Sequence, residues 1–264
     1  MQPISAIVIA GEEEHQIGLC LQSISWLDEI IVVCSSRNDS TIDIAKEYTN
    51  KVYFREWSGY AQQKEYAISL TKHEWILSID ADEIIPQDTK ETIKELQSES
   101  MVNGYYFKRK NYFLGKWIKH CDWYPDFQPR LFKKSYTSII KREVHESFEI
   151  SPPVIYLNAD IIHNTHPDLK RLVNKINTYS SLASIEKTKS VNVSVFKAVL
   201  HGLSAFLNHF IARGGWREGK YGFLVSYFHG FTCFLTYLKA WERKRSSRGE
   251  RGRTSATSNG AGGS

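Results

Sequence analysis

Four short apolar runs, Ile4–Ala10, 29–33, 51–54 and 75–79, alternate with stretches that carry apolar residues every three or four positions. Short runs rich in Ile and Val are the pattern of strands buried on both faces. Residues 12–25 put Ile17, Leu21 and Ile24 on one helical face, 40–48 turn Ile42, Ile44 and Ala45 inward, and 62–70 is helical again. The alternation predicts a mainly parallel sheet with helices on both faces. A polar helix is predicted after Pro86 to about residue 98, a strand at 104–110, and strands and loops over a ligand site in the aromatic, basic stretch 111–142. A strand at 154–163 and a helix at 168–187 follow. In such sheets ligands lie beyond the C-terminal ends of the strands, which singles out residues 11–14, 34–39 and 80–83.

From residue 194 the pattern changes. Residues 194–211 are apolar but broken by Lys197, His201, Asn208 and His209, and 221–238 carry no formal charge. Eighteen residues fall short of the roughly 20 that span a bilayer, so an interfacial helix or a buried one is expected there ahead of a spanning one. The net charge of +5 lies in residues 239–253, with seven basic and two acidic side chains, leaving 27 of each sign elsewhere. That cluster suits an anionic surface, and its poverty in aromatic residues, with no recognition motif, argues against nucleic acid. The predicted division is residues 1–190 as a catalytic α/β domain, 191–243 as apolar helices and 244–264 as a basic, disordered tail. The four cysteines form no CxxC pair, so neither a zinc site nor a disulfide scaffold is expected. The N-terminal residues read as a strand rather than a signal peptide, which puts the expected location in the cytoplasm.

The strongest chemical signal is Asp80, Ala81, Asp82 and Glu83 directly after the fourth strand. Two carboxylates one residue apart at a strand end can meet Mg²⁺ or Mn²⁺ and leave positions open for diphosphate oxygens. An isolated pair of this kind also serves as an acidic turn. Its place at the end of the fourth strand of an alternating α/β unit raises its specificity.

The ordered segments IVIAGEEEHQIGLCLQSI, EIIVVCSSRNDST, GYAQQKEYAI and WILSIDADE resemble the family 2 glycosyltransferases of GT-A fold. KRKNYFLGKWIKHCDWYPDFQPRLF and REVHES resemble the subgroup that adds glucose or similar sugars to the lipopolysaccharide inner core of Gram-negative bacteria. The resemblance spans about residues 4 to 242. It implies that Ala10, Glu12 and Glu14 line the nucleotide pocket with Ser35 and Asp39. Lys64 would approach the diphosphate, Asp80 would contact ribose or metal, and Asp82 would bind the metal. The loop of Trp123, Tyr124, Pro125 and Asp126 and the segment of Val144, His145 and Glu146 would close over sugar and acceptor. Two departures stand out: Glu12 replaces the usual Asn, and Cys34 with its following residues replaces an Asp- and Gly-containing loop.

Inversion at the sugar carbon needs a carboxylate to deprotonate the acceptor hydroxyl. Glu146 is the first candidate and Asp126 the second. An ion pair with Arg142 or Lys141, and a turn after Pro125, are the plain alternatives. His145 is a candidate further metal ligand or a structural hydrogen-bonding group. Arg130, with Trp123 and Tyr124, is expected to bind the acceptor, since arginine and aromatic faces suit phosphorylated sugars. The expected activity is transfer of a hexose, glucose from UDP-glucose, to a lipid-linked saccharide by an enzyme in peripheral contact with the cytoplasmic face of the inner membrane. A polyprenyl-phosphate glycosyltransferase and a non-catalytic saccharide-binding protein are the alternatives.

Overall fold

A computed structural model describes residues 2–96, 101–140, 147–166, 168–190 and 192–258. The chain divides into two compact units, Met1–Pro167 and Asp168–Ser264.

In the first unit the predicted alternation is present: β1 (Ile4–Ala10), α1 (Ile17–Ile24), β2 (Glu29–Cys34), α2 (Thr41–Lys46), β3 (Val52–Phe54), α3 (Tyr60–Ser69) and β4 (Trp75–Asp80). β5 (Glu83–Ile84), α4 (Gln87–Leu96), β6 (Gly104–Phe113), β7 (Lys116–Trp117) and β8 (Asp126–Lys133) follow. The unit closes with β9 (Thr137–Ile140), β10 (Ser147–Ile150) and β11 (Val154–His166). The sheet order is β3-β2-β1-β4-β8-β6-β11-β5, with β7 hung on β6 and β9–β10 as a separate hairpin.

The half built from β3, β2, β1 and β4 is parallel, as expected. Beyond β4 the sheet is mixed: β8 runs antiparallel to both β4 and β6, whereas β11 is parallel to β6. Residue alternation assigns the two faces. Ile4, Ala6, Val8, Ile30, Val32, Trp75 and Leu77 meet α1, α2 and α4 through Leu21, Ala45 and Ile93. On the other face Ile7, Ile31, Val33 and Ile76 meet Ala67 of α3 and Phe148 of the hairpin.

β8 carries a proline and an arginine inside a central strand. Tyr105 pairs with Leu131 and Tyr106 with Pro129, so Arg130 is the extra residue of a bulge. A bulge tolerates the missing proline N–H and re-aims a side chain.

The second unit contains α5 (Leu169–Ser190), α6 (Val195–Leu207), a π-helical turn (Asn208–Ala212) and α7 (Lys220–Ser258). The second unit begins at Asp168 because α5 packs on α7. Lys239 Nζ bonds Asn177 Oδ1, Ser180 Oγ and Ser181 Oγ, each at 2.8 Å, and Arg243 Nε bonds Ser184 Oγ at 3.0 Å. Two members of the basic cluster are thus occupied by α5. Helical backbone is continuous from Lys220 to Ser258.

Candidate active site

The strand ends of β1, β2 and β4 bring the expected residues together. Glu12 Oε1 accepts from Ser36 Oγ at 3.3 Å and Asn38 Nδ2 at 3.1 Å, and Glu14 Oε2 accepts from the Ser40 N–H at 3.2 Å. Asp39 accepts from the Thr41 N–H at 3.1 Å and from Thr41 Oγ1 at 2.8 Å, while the Glu13 N–H donates to Thr41 Oγ1 at 2.9 Å. The first two loops are therefore stitched to each other by their own carboxylates. Ser35 sits against this seam, its Oγ donating to the Ala10 carbonyl at 3.3 Å. Cys34 is wholly buried. Burial, with Asp39 nearby, pushes its thiol up to about 11, so the position packs the core as a neutral group instead of reaching a nucleotide.

At the end of β4 a buried ionic network forms. Arg130 Nη2 donates to Asp80 Oδ2 at 2.6 Å and to Glu83 Oε1 at 2.5 Å. Arg109 lies 3.7 Å from Glu83 and holds Asp126 through Nη2 at 2.6 Å and Nε at 2.8 Å. Burial would raise the Asp80 carboxyl, but Arg130, aided by Lys64, His163 and Arg109, outweighs it and holds it well below the usual range. Burial, with repulsion from Asp80, pushes Glu83 up against the opposing pull of Arg130. The bulge in β8 delivers Arg130 here with 4% of its surface exposed. Arg130, expected at the acceptor, lies here against the strand-end carboxylates and neutralises them.

Asp82 meets a residue that the sequence did not single out. Its Oδ2 lies 3.1 Å from His163 Nε2 on β11, which β5 places alongside by pairing Glu83 with His163. Asn111 Nδ2 donates to the Trp123 carbonyl at 3.0 Å and Asp126 Oδ2 at 3.2 Å. Its Oδ1, 2.6 Å from His163 Nδ1, is therefore an acceptor, and Nδ1 carries hydrogen. The remaining nitrogen points its lone pair, or a second N–H, at Asp82. As it stands the 3.1 Å pair is a hydrogen-bonded contact, and adjacent ligands of an octahedral ion with bonds of about 2.1 Å also lie about 3.0 Å apart, so the two side chains are close enough to share Mg²⁺ or Mn²⁺. Among the described residues no set of three His, Cys, Asp or Glu side chains converges. His145, the expected extra ligand, and Glu146, the first candidate base, lie outside the described residues. The available signal for His163 was its position, a histidine closing an apolar strand as Asp80 closes β4.

Asp126, the second candidate base, is fully engaged. Burial would raise its carboxyl, but Arg109, Gln128 and Asn111 together hold it below the usual range, which weakens it as a base. Tyr124 Oη donates to Asp160 at 3.0 Å, and Trp123 stands edge-on to Phe113. Around Tyr124 lies an aromatic surface studded with lysines: Lys110 and Lys119 sit 4.8 and 4.5 Å from the Trp117 ring and Lys108 5.4 Å from Tyr124, with Asp160 2.9 Å from Lys110 and 3.8 Å from Lys108.

The family model for glycosyl transferase family 2 matches residues 5–147, more than half of the chain. The chain belongs to glycosyl transferase family 2. An uncharacterised glycosyltransferase of Rickettsia typhi is 30% identical, over 94% of this chain and 90% of its own length. The lipopolysaccharide core biosynthesis glycosyltransferase LpsC of Rhizobium meliloti is 27% identical, over 91% of this chain and 93% of its own. Staphylococcus aureus TarS in complex with UDP-GlcNAc overlays 44% of this chain and 36% of that one at 23% identity and a TM-score of 0.38, too slight a likeness to argue from. For this family 2 glycosyltransferase the expected architecture holds: an α/β sandwich with the strand-end carboxylates at its C-terminal edge, followed by helices.

Proposed function

We propose that this glycosyltransferase is an inverting, metal-dependent hexosyltransferase. In this proposal it moves glucose from UDP-glucose to a lipid-linked saccharide of the lipopolysaccharide-core kind, at the cytoplasmic face of the inner membrane of a Gram-negative bacterium. The observation that carries the proposal is the Asp82–His163 pair at the end of β4, with the imidazole oriented by Asn111. Asp82 and His163 would hold Mg²⁺ or Mn²⁺, which would supply positive charge against the departing nucleoside diphosphate. Glu12, Glu14, Ser35 and Asp39 would shape the nucleotide side of the pocket, with Ala10 as its floor. Lys64, which contributes to the field at Asp80, would add charge toward the diphosphate. The aromatic and lysine surface around Trp117 and Tyr124 suits the sugar faces and phosphates of an acidic acceptor. Glu146 would take the proton of the acceptor hydroxyl.

One observation favours a second reading. Asp126 is neutralised by Arg109, and an acceptor that is itself a phosphate, such as a polyprenyl phosphate, needs no strong base. Glu146→Gln separates the two. It should abolish transfer to a sugar hydroxyl and leave transfer to a lipid phosphate intact.

The first experiment is calorimetric titration with UDP and UDP-glucose, with and without Mn²⁺, on the wild type, Asp82→Ala and His163→Ala. Metal-dependent binding that both variants weaken by at least about tenfold is the expected result. Binding that ignores the metal and survives both substitutions would refute the proposal. A folded wild type that binds no UDP would favour a saccharide-binding protein without catalysis.

A further inference from the structure

α6 has three faces. With about 100° between successive residues, Ala198 and Gly202 point to one side and are buried. This side meets α7 so closely that a Cβ on Gly202 would lie 3.1 Å from the Gly230 carbonyl, and one on Gly230 would lie 2.7 Å from the Gly202 carbonyl. A narrow polar strip follows, with Lys197, Ser204 and Asn208. The third side is apolar and exposed. Phe196, Val199, Leu200, Leu203 and Leu207 form a continuous arc roughly 100° wide, with Phe196 70% and Leu203 54% open, and Ile211 in the π-helical turn that follows is exposed too. Phe223 and Tyr227, exposed on α7 within the same unit, add to the unit's open apolar surface.

The turn that joins these helices has the chemistry of a membrane interface. Trp216 is 57% exposed, with the Arg217 guanidinium 5.2 Å from its ring, and Lys220 lies beside Tyr221. Across residues 195–238 the exposed formal charges, Lys197, Arg213, Arg217 and Lys220, are all positive, and the acidic residue, Glu218, is buried. Val195–Ala212 would extend about 27 Å as a helix, less than the hydrocarbon thickness of about 30 Å, and it carries its polar strip along its length. Those properties suit a helix lying in the interface plane.

We propose that the outer face of α6, with Trp216 and the basic turn, docks onto a bilayer rich in anionic phospholipid. The uncharged segment 221–238, the expected interfacial helix by sequence, is largely taken up inside α7 by packing on α5 and α6. The exposed stripe belongs to the neighbouring helix. The inference deepens the lipid-linked acceptor reading, since an acceptor anchored in a bilayer is met at its surface, but it rests on the second unit alone.

The test is flotation of the full chain with vesicles of phosphatidylethanolamine and phosphatidylglycerol at 7:3, and with phosphatidylcholine vesicles. The wild type should float with the anionic vesicles. Leu203→Asp combined with Leu207→Asp should cut the bound fraction at least about tenfold, while the circular dichroism spectrum and UDP binding stay unchanged. Arg217→Ala combined with Lys220→Ala should weaken binding roughly fivefold per charge on anionic vesicles and little on phosphatidylcholine. If the aspartate pair unfolds the protein, Phe196→Ser with Trp216→Ser is the second variant, with the same expectation. Failure of the wild type to float, or flotation indifferent to these changes, overturns the inference. So does a solution dimer that the aspartate pair dissolves without loss of flotation, which would give the face to a second copy. UDP titration is read separately, so failure at the membrane leaves the donor proposal standing.

Discussion

Replacing Arg130 with methionine keeps an extended side chain and removes the charge that Asp80 and Glu83 share. Breaking a buried ion pair from one side costs about 3–5 kcal/mol, because the remaining charge is left without compensation. Glu83 is wholly buried, but the Asp80 side chain is 34% exposed, so water screens part of the loss and about 3 kcal/mol is the working figure. For a unit the size of Met1–Pro167, each kcal/mol moves the midpoint by about 2–4 °C, which gives a fall of roughly 6–12 °C. The measurement is thermal unfolding followed by circular dichroism, with urea unfolding as a second scale. Adding Glu83→Gln to Arg130→Met removes one of the uncompensated charges and should recover about half of the loss. Glu83→Gln alone should cost less than Arg130→Met, since Arg130 keeps Asp80. A variant that melts within about 2 °C of the wild type, or a double variant no better than Arg130→Met, would show that the network is not an electrostatic unit.

Three further outcomes are expected. Asn111→Leu should weaken Mn²⁺ binding by about 10–100-fold, read from the free-ion paramagnetic resonance signal, because His163 Nδ1 loses the acceptor that orients it. At the start of β2, burial alone would raise Glu29, but bonds from Lys51, the Lys72 N–H and Ser5 pull it below the ordinary carboxyl value of 4.5. A lowered folded value means a contribution that is full above about 4.5 and is lost as pH falls from there through the lower folded value, so Glu29→Gln should flatten the acid limb of urea midpoint against pH. Gly230→Val forces a side chain against the Gly202 carbonyl and should cost the helical unit about 1–3 kcal/mol in chemical denaturation.

The parallel half of the sheet was legible because its central strands β1, β2 and β4 are buried on both faces and read as unbroken apolar runs. β8 was not. Asp126–Lys133 contains Pro129 and Arg130, the marks of an edge or a loop, and only its partners reveal that it is central and bulged. The same bulge explains why Arg130 was read as an acceptor group. Sequence shows a basic residue among aromatics but not which way a distorted strand turns it. His163 stands 81 positions from Asp82, and no local period links them. The exposed stripe of α6 was obscured by its own interruptions. Lys197, Asn208 and His209 interrupt it, whereas 221–238 drew the eye by lacking any formal charge although it is largely taken up by helix packing.

The insertion of β8 between β4 and β6 also orders events in time. Asp80 receives its counter-charge from a residue 50 positions later, and Asp82 its imidazole partner from 81 positions later. During synthesis the parallel half can assemble as soon as residue 80 is out of the ribosome, but it then carries strand-end carboxylates that lack their partners. Those groups would hold the edge of β4 open to water until the later strands arrive. A nascent chain cut before β8 should thus expose the apolar edge of β4 and tend to aggregate, and the strand-end carboxylates gain their full set of partners only when the last strand of the unit, β11, has joined the sheet.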